Sequence, residues 1–108
     1  MELFQGSRFT AERAWGGPNV ARIGTAQVKL RWTDQPYRWH VNNGREVFAV
    51  LDGIVDMHVR REGGDVEIVT LAAGDILSIA LGEEHVAHPR GVARILVIEE
   101  EDPAVGGG

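Results

Sequence analysis

At 108 residues and 11.8 kDa the chain has the size of one domain, large enough to bury a core but too small for a second one. It has no cysteine, which excludes disulfides, thiolate zinc sites and cysteine nucleophiles, and leaves histidine, carboxylate, amide or water as metal ligands. A formal charge of −5 without a lysine or arginine cluster argues against a phosphate-tracking surface, so a small molecule or another protein is the expected partner and nucleic acid is not.

The N-terminal MELFQGSRF has no basic stretch followed by an apolar run, and no long apolar run follows anywhere. These patterns predict a cytoplasmic address without membrane contact. Residues 1–20, with Gly16, Gly17 and Pro18, read as an irregular lead-in carrying one or two short strands. From 21 to 100 the signal is alternation and frequent turns, with no repeat, heptad or amphipathic helix, as in a barrel of antiparallel strands. In residues 26–33, Ala26, Val28, Leu30 and Trp32 alternate with Gln27, Lys29, Arg31 and Thr33, which predicts one buried and one wet face. Further strands are expected near 37–42, 46–51, 54–61, 66–71, 76–80, 85–88 and 93–99, separated by segments that supply Gly, Asn or Asp where the backbone must turn. Residues 101–108, acidic and glycine-rich, read as a flexible tail.

Two turns assign faces. Asp52-Gly53 is a two-residue type I′ hairpin signal, setting Leu51 opposite Ile54, Val50 opposite Val55, Phe48 opposite Met57 and Glu46 opposite Val59. Gly63-Gly64 continues the register, with Val59 against Ile68 and Met57 against Thr70. One face then collects Glu46, Phe48, Val50, Val55, Met57, Val59 and Ile68, a carboxylate among apolar groups. The other collects Val47, Ala49, Leu51 and Ile54 with Asp56 and His58. That face is too apolar for open solvent and predicts a cover, either the N-terminal segment or a second copy in a homodimer.

Glu46 is costly on an apolar face unless it is paired, hydrogen-bonded or bound to a cation. If Asn43-Gly44-Arg45 forms a three-residue loop, Asn42 opposes Glu46 and His40 opposes Phe48, all on one face. A two-residue Asn43-Gly44 turn would throw His40 to the other side. His85 follows the turn Leu81-Gly82-Glu83-Glu84 on a separate strand, and spacing alone does not bring it to the same place.

Residues 40–53, HVNNGREVFAVLDG, resemble the first motif of the cupin family, in which His, any residue, His, three or four residues, Glu, six residues and Gly occur in order. His40, Glu46 and Gly53 fall on it. Residues 74–85, GDILSIALGEEH, resemble the second cupin motif through Gly74, Gly82 and His85. The resemblance implies a single-domain, cupin-type jelly-roll β-barrel. It further implies a divalent transition metal (Fe, Mn, Ni, Zn or Cu) on His40, Glu46 and His85; Phe48, Val50, Met57 and Val59, which share the face of Glu46, are then the expected pocket wall. The chain departs from the family pattern at Asn42, where a second His is expected, at Ala80, where Pro is expected, and at Pro89, where Asn is expected. Two imidazoles and a carboxylate still make an open metal site, with Asn42 as a weak ligand or a partner of one. Oxygenase, isomerase and lyase chemistry on a small organic molecule are all compatible with such a site. So is a non-catalytic binding or sensing module, or a decayed site in which Glu46 bonds a histidine.

The other candidates read more simply. His88 and His58 fall on the opposite face to Glu46, as surface or rim histidines. Trp32, Tyr37, Trp39 and Phe48 read as core aromatics, with Phe48 sharing the face of Glu46. Arg38 is placed to meet an anion at the pocket mouth, although a lone arginine is more often solvated. Glu83-Glu84 and residues 99–102 read as solvated charge, without calcium-loop spacing.

Overall fold

The computed structural model describes residues 1–61 and 63–101, so residues 102–108 of the expected tail lie outside it. Eight strands and no helix occur among the described residues: β1 (Asn19–Ile23), β2 (Ala26–Thr33), β3 (Glu46–Asp52), β4 (Ile54–Arg60), β5 (Val66–Ala72), β6 (Ile76–Ile79), β7 (Glu84–Pro89) and β8 (Ala93–Glu100). They form two antiparallel sheets, one ordered β1-β2-β8-β3-β6 and one ordered β5-β4-β7, an all-β jelly roll. Phe48, Val50, Ile95 and Val97 of the first sheet pack against Val55, Met57, Val59, Leu71 and Ala87 of the second. Each large apolar side chain so buried contributes about 1.5–3 kcal/mol relative to exposure.

The Asp52-Gly53 turn is not a hairpin. β3 lies between β8 and β6, and β4 between β5 and β7, so the turn carries the chain from one sheet to the other. The expected pairs do not form, yet Glu46, Phe48, Val50, Val55, Met57 and Val59 are all buried. Alternation alone aims them inward, and they meet across the core instead of side by side.

β4 and β5 do form a hairpin, one residue away from the expected register: Val59 faces Glu67, Met57 faces Val69, and Ile68 sits beside His58. Arg61 N donates to Asp65 O, closing a loop of odd length. A one-residue slip turns a whole strand over. Ile68 is accordingly exposed and Leu71 is buried in the core.

β2 is also reversed from expectation. Lys29 pairs with Val97 and Arg31 with Ile95, both core positions, so the charged side of β2 faces the interior and Thr33 is fully buried. Leu30 is buried on the outer side, beneath the N-terminal segment, where a Cβ on Gly6 would touch Leu51 and Leu30. The Arg94 Nε donates to Phe9 O at 2.6 Å and ties the same segment down. The face expected to gather Val47 through His58 is therefore split. Val47, Ala49 and Leu51 lie outside the first sheet, and Ile54, Asp56 and His58 outside the second.

Outside the second sheet, Asp56 accepts from Arg90 at 2.8 and 2.9 Å and from Thr70 at 2.7 Å. Arg90 first, and Thr70 next, lower its carboxyl from 3.8 to about 2. A carboxyl held below its unfolded value adds stability that is fully present above pH 3.8 and is lost as pH falls through about 2. Because solvent screens this surface pair, the contribution should not exceed about 1 kcal/mol. Unfolding of wild type and Asp56→Asn across pH 2 to 5 should show the wild-type advantage vanish at the acid end, and an advantage independent of pH would contradict this.

Candidate metal centre

β3 supplies Glu46 and β7 supplies His85, one from each sheet. No strand forms over 37–42. Instead the segment lies against β7: Tyr37 N donates to Ala87 O, and His40 exchanges both backbone hydrogen bonds with His85, at 3.1 and 3.0 Å. His40 thus arrives as an edge of the second sheet, through neither of the two turns considered between residues 42 and 46. The two imidazole rings lie with centroids 4.2 Å apart. One ligand atom from each of His40, Glu46 and His85 lies within 4.8 Å of the other two.

The tautomers follow from the hydrogen bonds. His40 Nδ1 is 2.9 Å from Arg38 O, and His85 Nδ1 is 3.1 Å from Glu83 O. A carbonyl only accepts, so each Nδ1 carries a proton, and the neutral ring is left with its lone pair on Nε2. His85 Nε2 is buried with no hydrogen-bond partner. Its nearest carboxylate oxygen, Glu46 Oε1, is 3.7 Å away, too far for a hydrogen bond. Asn42 Nδ2 donates to that oxygen at 2.6 Å, so Asn42 meets the group through Glu46.

The charges around this point are coupled. Burial works against ionising Glu46, but His85, Glu99 and Asn42 outweigh it and hold its carboxyl below the ordinary value. Burial lowers His40, against the pull of the Arg38 carbonyl. At His85 burial is again the largest influence and lowers the ring, but Glu46 and the Glu83 carbonyl together leave it raised. Burial, and then the neighbouring Glu46, push Glu99 up against the counter-charge of Lys29.

Beside the three residues opens a cavity of about 300 Å³, whose lining includes Trp15, Tyr37, Phe48 and Met57 together with Lys29, Arg31 and Glu99. Of the expected wall, Phe48 and Met57 line it, while Val50 and Val59 lie in the core. Tyr37 is at the rim and not in the core, edge-on to Trp15 with centroids 5.1 Å apart. Trp39 is outside, beneath the guanidinium of Arg60. His58 and His88 stack on the outer face of the second sheet, 4.3 Å apart. Arg38 sits on the Tyr37 ring, 5.4 Å from its centroid, and the cations lining the cavity are Lys29 and Arg31. Glu99, read as solvated, is a lining residue. Its alternation with the inward Ile95 and Val97 was the available signal.

The jelly-roll fold is what comparison with solved structures returns. No protein-family model and no curated protein matches the chain. Among solved structures, a cupin-2 domain protein from Shewanella frigidimarina is 26% identical, with a TM-score of 0.73 over 84% of this chain and 85% of that one. A cupin superfamily protein from Desulfitobacterium hafniense is 16% identical, with a TM-score of 0.74 over 87% and 84%. Hydroquinone 1,2-dioxygenase from a Sphingomonas species, with 4-hydroxybenzoate bound, is 22% identical with a TM-score of 0.76. This chain is covered there over 86% of its length but spans only 29% of that larger chain. The chain has the fold of a small single-domain cupin.

Proposed function

We propose that the chain holds a divalent transition metal on His40, Glu46 and His85 and takes a small organic molecule into the adjoining cavity. The observation that carries this is the Nε2 of His85, a buried lone pair without a hydrogen-bond partner beside a buried carboxylate. A buried polar atom is normally satisfied, and a cation would satisfy this one and compensate Glu46 as well. The carbonyls behind both Nδ1 atoms are the outer contacts that orient histidine ligands. A divalent ion so held supplies Lewis acidity toward an oxygen of the bound molecule. The chain's own groups do the rest: Asn42 anchors Glu46, while Trp15, Tyr37, Phe48 and Met57 give the ligand an apolar wall.

Stripping the protein with a chelator and titrating with Mn, Fe(II), Co, Ni and Zn should give one bound equivalent, verified by elemental analysis. Failure of all five to bind would overturn the reading. A second reading, a ligand-binding or sensing module with a degenerate site, draws support from Asn42, whose amide occupies a Glu46 oxygen where a cupin offers a further imidazole.

The reading extends to a cytoplasmic homodimer. Val28, Val47, Leu96 and Ile98 share the outer face of the first sheet and stay only half-buried, an apolar patch suited to a second copy. Light scattering should give twice 11.8 kDa, and a monomer mass at micromolar concentration would refute the pairing.

A further inference from the structure

The inward turn of β2 places two cations in the cavity, and they are not equivalent. Lys29 Nζ is 3.5 Å from Glu99 Oε2, so its charge is answered. Arg31 has no carboxylate partner within ion-pair distance among the described residues, and its guanidinium is fixed by neutral groups. Nη1 donates toward the carbonyls of Gly17, Pro18 and Leu30, and Nη2 donates to Asn19 Oδ1 at 2.9 Å. Of the five guanidinium N–H groups, Nε–H and one on Nη2 are left without an acceptor. Nε and Nη2 form the side of the guanidinium that binds a carboxylate through two parallel hydrogen bonds.

The charge balance points the same way. Lys29 and Arg31 together answer Glu46 and Glu99 among the lining residues, and a divalent ion held beside Glu46 would leave the loaded cavity cationic within a chain of net charge −5. The volume of about 300 Å³ is at the small end of ligand pockets, and Trp15, Tyr37 and Phe48 supply flat apolar walls.

We propose that the cavity selects a small organic anion, a carboxylate carried on a single ring, and that the free side of the Arg31 guanidinium binds the carboxylate. The proposal deepens the reading of the site as a metal centre beside a ligand cavity. Its test separates the two. Benzoate and its neutral isostere benzamide are titrated by calorimetry into wild type and Arg31→Gln, each metal-free and loaded with Zn(II). Wild type should bind benzoate at least about tenfold more tightly than benzamide in both states. Arg31→Gln should bring benzoate down to the level of benzamide while its zinc content is unchanged.

Binding of neither probe, equal affinity for the two in wild type, or a preference retained in Arg31→Gln would each overturn the anion site. Zinc bound in full with no benzoate preference removes the anion site alone. A preference that Arg31→Gln abolishes in a protein that binds no zinc removes the metal centre alone. Arg31 also ties the chain at Gly17, Pro18 and Asn19 to β2, so Arg31→Lys carries the test if Arg31→Gln does not fold. It keeps the charge without the paired donors and should retain only part of the preference, and a preference equal to that of wild type would overturn the two-pronged contact.

Discussion

Replacing His85 with alanine is expected to lower the affinity for a divalent metal by more than about 100-fold, whereas Asn42→Ala should lower it by about tenfold. Removing an outer-contact residue typically costs 10- to 100-fold, and removing a ligand should exceed that. His85 offers a lone pair directly, while Asn42 acts by holding Glu46 in place. Competition against a chromophoric chelator measures both. The same pair of proteins gives a second readout in unfolding. With metal at about 100 times its dissociation constant, the wild type should gain about 2.7 kcal/mol and His85→Ala should gain nothing measurable.

The competing account, a protonated His85 that merely neutralises Glu46, predicts otherwise. Metal would then leave wild-type stability unchanged, and His85→Ala would cost about 3–5 kcal/mol by stranding a buried carboxylate. His85→Ala within tenfold of the wild-type affinity would remove His85 from the ligand set.

How far the site was legible from sequence depends on which signals are local. Alternation is local, and it correctly aimed Glu46, Phe48, Val50, Val55, Met57 and Val59 inward although the strand pairs inferred from Asp52-Gly53 were wrong. A dipeptide specifies a tight turn but not which strands pair beyond it, because β3 finds β6 and β8 and β4 finds β5 and β7 through the rest of the chain. Register depends on loop closure, and the bond between Arg61 and Asp65 changed the face of β5.

β2 shows the deeper limit. Leu30, from its apolar side, is buried under the N-terminal segment, while Lys29 and Arg31 face a cavity, and nothing within residues 26–33 distinguishes a cavity from solvent. Trp15, from the irregular lead-in, was invisible for the same reason: its position beside Tyr37 is set by tertiary contacts, including its Nε1 bond to Gln35 O at 3.0 Å.

Gly53→Ala is expected to destabilise the protein by about 3 kcal/mol or more, while Gly91→Ala should cost only about 1–2 kcal/mol. Both glycines have positive φ, +86° and +77°, so both substitutions meet the left-handed backbone penalty. The difference lies in their surroundings. A Cβ on Gly91 would meet nothing within 4 Å, whereas one on Gly53 would run into the carbonyl oxygen of Val92 and lie 3.1 Å from Ala93 Cα. Those atoms are main chain at the start of β8, and Ala93 is fully buried, so they have little room to retreat. The contact exists because the turn passes between the sheets; at the tip of a solvated hairpin Gly53 would resemble Gly91. Asparagine tolerates positive φ but also carries a Cβ, so Gly53→Asn should rescue little, while Gly91→Asn should be close to neutral. Denaturant unfolding of the four variants decides the matter, and equal costs at the two positions would mean that the Asp52-Gly53 turn does not pack against β8 as described.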